Sequence, residues 1–128
     1  MIIVDTHALV WWKNSPQKLG RRARSELENA TEVGVCAITC WELAMLVVKQ
    51  RLRLDRDVLV WLKQALTQPT TQLLPLLPEI AVRAAQLDGE LQGDPADRLI
   101  VATAIHFRCA LVTADRSLRA FEKVHTIW

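Results

Sequence analysis

Four acids of this chain stand at positions where chemistry is possible: Asp5, Glu42, Asp97 and Asp115. Asp5 closes the β-branched run Ile2-Ile3-Val4, and Asp115 follows the apolar run Ala110-Leu111-Val112-Thr113. Glu42 and Asp97 fall in the first turns of the two most apolar helical stretches. If two strand ends and two helix starts share one edge of a sheet, these carboxylates converge in one cleft. Their oxygens are hard donors, suited to Mg2+ or Mn2+. Each acid also has a plainer role. Asp5 and Asp115 can cap helices, and Thr39-Cys40-Trp41-Glu42 has the pattern of a capping box. Asp97 sits one turn into a helix opened by Asp94-Pro95, where the helix dipole favours negative charge. Taking a carboxylate out of water is costly unless something pairs it. Arg98 and Arg116, directly after Asp97 and Asp115, are one candidate pairing, and a metal ion is the other.

The elements that must position these acids read as short apolar strands alternating with helices. Strands are expected over residues 2–4, 33–37, 73–74, 110–113 and near 124–127. A short helix over 8–13 carries Trp11 and Trp12. A second helix has Leu19, Ala23, Leu27 and Ala30 inside and Arg21, Arg22 and Arg24 outside. Thr39 opens a helix that runs to about Gln50 and is apolar nearly all round, which predicts burial, Trp41 included. Asp55 is expected to cap the next helix, with Trp61 in the core. Residues 69–72 read as a linker, and Ile80, Ala84, Leu87 and Leu91 as one further helix. Pro95 starts a helix with no charge in its middle, and a short helix over 116–121 precedes the last strand. Short apolar strands between helices imply a parallel sheet covered on both faces, with its site at the carboxyl ends of the strands.

The chain has 128 residues and 14.5 kDa, a length that fits a single domain over 1–128. Its 51% apolar and 23% charged residues exclude disorder. A net charge of +2 is too weak for a simple basic nucleic-acid carrier. No run long enough for a membrane helix occurs, and Asp5 interrupts the first apolar stretch at once, so neither a membrane span nor a secretory leader is expected. Cys36, Cys40 and Cys109 are odd in number and read as reduced apolar residues of a cytoplasmic protein rather than bridges or a zinc site.

With these segments in view, the chain resembles PIN-domain nucleases of the VapC toxin type. The resemblance rests on Ile2-Ile3-Val4-Asp5-Thr6-His7-Ala8-Leu9-Val10-Trp11-Trp12, Thr39-Cys40-Trp41-Glu42, Asp94-Pro95-Ala96-Asp97-Arg98-Leu99-Ile100-Val101-Ala102-Thr103-Ala104 and Leu111-Val112-Thr113-Ala114-Asp115. These segments occur in the family's order and cover the whole chain. Thr39 stands where a serine is commoner. The resemblance implies a PIN-like three-layer α/β/α fold with a small, mostly parallel sheet. It implies Asp5, Glu42, Asp97 and Asp115 as the catalytic set, with Asp5, Asp97 and Asp115 holding Mg2+ or Mn2+ directly or through water. Glu42 then orients or deprotonates the attacking water. Thr6, Thr113, Asp94, Arg98 and Arg116 are supporting residues. One ion or two can serve a phosphodiester hydrolysis of this kind. The implied activity is that of an endoribonuclease toxin that inhibits translation or growth. The implied partners are an RNA substrate, a cognate antitoxin and a second copy of the chain in a homodimer.

Substrate or partner contacts are expected at Trp11 or Trp12, of which one should be exposed, and at Arg21, Arg22 and Arg24. Lys49, Arg51, Arg53 and Arg56 can track a phosphate backbone too, or form a solvated face. His7, His106 and His125 lack metal-ligand spacing. A PIN nuclease of housekeeping RNA processing and a non-catalytic module whose acids are only caps are the rival readings. A receiver domain needs paired acids after the first strand, and a haloacid-dehalogenase-like phosphatase needs an aspartate at position 7. His7 argues against the second, and the lone Asp5 against the first. Setting the four acids aside leaves ten acids against sixteen bases, so the rest of the chain carries +6.

Overall fold

The computed structural model describes residues 1–128. Five strands form one sheet: β1 Ile2–Val4, β2 Val33–Cys36, β3 Thr71–Leu74, β4 Ala110–Val112 and β5 Thr126–Ile127. Their order is β3-β2-β1-β4-β5, and every pairing is parallel. The central strand β1 pairs Val4 with Val35 on one side and with Val112 on the other. Ile3, Val4, Val33, Val35, Leu111 and Val112 are fully buried, as strands covered on both faces require.

Seven α-helices connect and cover the strands: α1 Thr6–Asn14, α2 Arg21–Asn29, α3 Ala37–Val48, α4 Val58–Leu66, α5 Pro78–Gln86, α6 Pro95–Phe107 and α7 Arg116–Ala120. A single 3-10 turn at Pro16–Lys18 joins α1 to α2. On one face of the sheet Leu9, Leu19, Leu27, Trp61 and Leu62 pack with Val4 and Val112. On the other, Ile80, Leu87, Ile100, Val101 and Leu118 pack with Ile3 and Leu111. The result is the expected helix–sheet–helix layering. The helix α3 straddles the layers, with Leu43 in the first cluster and Ile38 against the second.

From β1 the chain steps outward through β2 to β3, then returns to β4 and continues to β5 on the opposite side. The direction of winding therefore reverses between β1 and β4. Parallel sheets open a crevice at such a point, beyond the carboxyl ends of the strands. Asp5 and Thr113 follow the last residues of those two strands.

Several boundaries differ from the sequence expectations, each for a local reason. Cys36 is the N-cap of α3 and offers no side-chain hydrogen bond, so Thr39 lies inside the first turn and the capping-box reading fails. The expectation that α3 is buried all round fails too. Only Thr39 and Leu43 are buried along it, while Trp41 and Val48 are 55% and 74% exposed. Apolar composition on every side gave no sign of which stripe faces the core. Asp57, not Asp55, caps α4, accepting from the N–H groups of Leu59 and Val60 at 3.1 and 3.3 Å. Asp55 instead pairs with Arg56 at 2.8 Å. The strand β3 takes in Thr71 and Gln72 from the expected linker, because they pair with Val33 and Gly34. The helix α5 stops at Gln86, although Leu87 and Leu91 remain buried beyond it. Gly89 and Gly93 then adopt φ of 87° and 122°, a left-handed backbone that favours glycine. All three cysteines are free, and no helix is long and apolar enough to cross a membrane.

Candidate active site

The β1 end delivers Asp5 into the crevice as the N-cap of α1. Its Oδ1 accepts from the Ala8 N–H at 2.8 Å, and its Oδ2 accepts from the Thr113 hydroxyl. The cap reading and the site reading are therefore both true of Asp5. The residue is 7% exposed. Burial pushes its pKa above the ordinary carboxylate value, and the Thr113 and Ala8 hydrogen bonds act against that. Thr113 is fully buried and also accepts the Asp115 N–H at 3.0 Å, so one hydroxyl ties the ends of β1 and β4 together.

Asp115 caps α7. Its Oδ1 accepts from Ser117 N–H at 2.8 Å, Ser117 Oγ at 2.6 Å and Leu118 N–H at 3.1 Å. The Ser117 hydrogen bond is the main reason its pKa is lowered. It stays ionised and exposed.

Glu42 arrives from the other side of the crevice on α3. Thr6 donates its hydroxyl hydrogen to Glu42 Oε1, and Thr39 Oγ1 lies 3.3 Å from Thr6 Oγ1. A hydroxyl has one proton to give. Because Thr6 gives its proton to the carboxylate, the buried Thr39 is the donor to Thr6. The α3 N-terminus is thus tied to α1 through hydroxyls, the role left to Thr39 once it is not a cap.

Asp97 is the least supported acid. It sits in the first turn of α6, behind the N-cap Asp94, whose Oδ1 accepts from Ala96 N–H at 2.9 Å. No hydrogen bond or ion pair reaches the Asp97 side chain. Its pKa is pushed up to about 7, first by burial and then by the charges of Glu42, Asp115, Asp94 and Asp5. All four of those acids line one space with Asp97, which is why their charges reach it.

That space is a hollow of about 530 Å³ lined by Asp5, Thr6, Glu42, Asp94, Asp97 and Asp115, with His7, Trp11, Leu46, Arg51 and Ala114 completing the wall. No acid in it forms a salt bridge. Burial and mutual repulsion without an ion pair leave a donor set that fits a hard divalent cation, although Arg51 and His7 share the wall. No three of the acidic, His or Cys side chains are grouped closely enough to enclose an ion by themselves. Mg2+ tolerates such a site because it keeps several of its waters. Asp5, Asp97 and Asp115, the ligands the resemblance implies, all line this hollow and could hold such an ion through its waters.

The crevice collects some expected residues and leaves others out. Thr6, Thr113 and Asp94 support it as described. Arg98 turns away, donating to the Gly93 carbonyl at 3.1 Å and approaching Asp88 at 3.8 Å, so it pairs the loop before α6 and not Asp97. Arg116 points into a different hollow together with Arg22. Arg24 pairs with Glu28 at 3.0 Å on the exposed face of α2, and Arg21 is exposed outside the crevice. Trp11 lines the crevice, but Trp12 does not; Lys13 Nζ sits 3.5 Å over the Trp12 ring. Both tryptophans are half-buried, so neither is the freely exposed one expected. Trp61 is core as expected, and its Nε1 donates to Asn14 Oδ1 at 3.2 Å. His7 reaches the wall because it lies two residues past a strand end, and its ring packs on Trp11 at 5.9 Å. Of the basic run after α3, only Arg51 reaches the crevice. Gln50 at φ 57° turns the chain there, a reversal that no residue type in the run announces.

Comparison with known proteins agrees with this geometry. A family model for the PIN domain matches residues 2–124. Ribonuclease VapC22 of Mycobacterium tuberculosis (strain ATCC 25618 / H37Rv) is 40% identical over 129 residues, spanning 99% of this chain and 98% of that protein. Among solved structures, VapBC2 of Rickettsia felis bound to a DNA fragment from its promoter superposes with a TM-score of 0.73 at 17% identity, over 98% of this chain and 97% of that one. FitAcB of Neisseria gonorrhoeae superposes with a TM-score of 0.67 at 25% identity, over 98% and 96%.

Proposed function

The chain belongs to the PIN-domain family, and on that premise we propose that it is a Mg2+-dependent endoribonuclease, with Mn2+ able to replace Mg2+, and the toxin of a toxin–antitoxin pair. The single observation that carries the chemistry is the convergence of Asp5, Glu42, Asp97 and Asp115 on one hollow in which none of them is held in an ion pair. The name of the 40% identical ribonuclease supports RNA as substrate.

A bound divalent ion would supply a Lewis acid for the phosphoryl group and lower the pKa of water. The chain's own residues do the positioning. The Ala8 N–H and Thr113 hydroxyl fix both oxygens of Asp5. The Ser117 and Leu118 donors orient Asp115 and keep it ionised. Asp97, its pKa raised to about 7, would have to be ionised to hold a cation. Thr6 holds Glu42 Oε1 and leaves Oε2 to receive a proton from the attacking water. Asp94 anchors the start of α6.

Toxin action implies inhibited translation or growth and a cognate antitoxin, and the superposing VapBC2 and FitAcB structures support that pairing. The apolar side chains left exposed on α3 and α4, Trp41, Val48, Leu59 and Val60, support protein partners, a homodimer among them. Function as one domain over 1–128 in the cytoplasm follows the same reading.

Induced expression tests it. Growth should arrest with the wild-type chain and not with Asp97→Asn, and a small co-expressed neighbour should restore growth. Purified protein should cut RNA in Mg2+; cleavage persisting in excess EDTA would overturn the metal-dependent mechanism. A housekeeping nuclease would cut RNA without arresting growth.

A further inference from the structure

Beside the acidic hollow lies a second one of opposite charge. It measures about 470 Å³ and is lined by Arg22, Arg116, Arg119, Ala120, Thr126 and Trp128. Its arginines come from two elements distant in sequence: Arg22 from α2, and Arg116 and Arg119 from α7. All three are exposed. None takes part in an ion pair, unlike Arg24 on the same helix as Arg22. Three like charges facing one concavity repel each other and find no internal counter-ion, so an external anion is what they can hold.

The wall of this hollow packs against the wall of the acidic one. Gly20, just before α2, approaches Trp128 so closely that a Cβ there would lie 2.6 Å from the Trp128 carbonyl carbon and 2.9 Å from its Cδ1. The Trp128 ring packs on Trp11 with centroids 5.7 Å apart. Trp11 lines the acidic hollow, as does Asp115, the residue before Arg116. The two hollows therefore meet along Trp11–Trp128 and Asp115–Arg116.

We propose that Arg22, Arg116 and Arg119 form a phosphate subsite that holds the RNA backbone to one side of the scissile phosphodiester. A strand crossing the Trp11–Trp128 boundary places one phosphate over the acids and a flanking one among the arginines. Contacts of this type set the path of the strand and not its sequence. The RNA substrate class rests on the nuclease reading; the location of the subsite rests on the arginines.

The test compares two double variants that each remove two charges, Arg22→Ala/Arg119→Ala from the hollow and Arg21→Ala/Arg24→Ala from outside it. Every protein also carries Asp97→Asn so that RNA is bound and not cut. Binding of a fluorescein-labelled single-stranded RNA of mixed sequence is read by anisotropy in millimolar Mg2+ across a range of KCl. The hollow variant should bind about tenfold more weakly, with a log–log salt slope lower by about 1 to 2. The outside variant should change by less than about twofold, and circular dichroism should show both folded. Equal losses in the two variants, or none in the hollow variant, overturn the subsite. Unchanged RNA binding with weakened binding of a co-expressed antitoxin would also overturn it and assign the arginines to a protein carboxylate. The nuclease reading is judged separately: with Asp97 intact, failure to cut this RNA in Mg2+ sinks that reading whatever the binding comparison gives.

Discussion

Thr113 donates its hydroxyl hydrogen to Asp5 Oδ2 across 108 positions of sequence, while accepting the Asp115 N–H at 3.0 Å. One buried hydroxyl thus sets two acids of the crevice. Replacing it by valine keeps the shape and removes the donor. Thr113→Val should leave Asp5 harder to ionise and cost on the order of 1–3 kcal/mol of stability. It should also weaken Mg2+ binding, whereas Thr113→Ser should retain most of it. Calorimetric titration of both variants checks this; equal losses in valine and serine would show that packing, not the hydrogen bond, matters.

The raised pKa of Asp97 fixes a pH dependence. The folded value of about 7 lies above the ordinary 3.8, so ionisation is resisted only in the folded state. This opposition to folding is absent below pH 3.8, grows through the interval and is complete above about 7. In EDTA, Asp97→Asn should therefore raise the melting temperature at pH 8 and change it little at pH 4. A lower melting temperature for the variant at pH 8 would refute the repulsion argument.

A cation that relieves the same repulsion should stabilise the fold. Mg2+ or Mn2+ at a hundred times its Kd adds about 2.7 kcal/mol to a protein that binds it only when folded. Thermal melts should rise with added ion in the wild type and stay flat in Asp5→Asn. The rise should be larger at pH 8 than at pH 6, because Asp97 must lose its proton.

Two apolar residues of α3, two positions apart, should behave oppositely. Leu43 is fully buried against the first core cluster, and Leu43→Ala should cost about 2–5 kcal/mol. Trp41 is 55% exposed, and Trp41→Ala should leave the melting temperature of dilute protein nearly unchanged while weakening self-association. Denaturant melts and analytical ultracentrifugation separate the two effects. Severe unfolding by Trp41→Ala would restore the buried reading of this helix.

The local order of residues determined much of this protein. Ile2-Ile3-Val4 and Ala110-Leu111-Val112 are short and apolar throughout, which suffices for buried parallel strands, and the acids that end them point to one sheet edge. Asp94-Pro95 opens α6 by capping chemistry that acts within a single turn. Only the tertiary structure decided what depends on direction in space. An all-round apolar helix does not reveal that Leu43 faces inward and Trp41 outward. An arginine beside an acid in sequence does not reveal that Arg98 turns back to Gly93, or that Arg116 joins Arg22 from another helix. The +2 of the whole chain proves to be a sum over unlike regions, an acidic crevice and an arginine hollow meeting at Trp11 and Trp128. Strand ends and caps are set by interactions a few residues long. The pairing of charges is set by which surfaces the crossovers bring together.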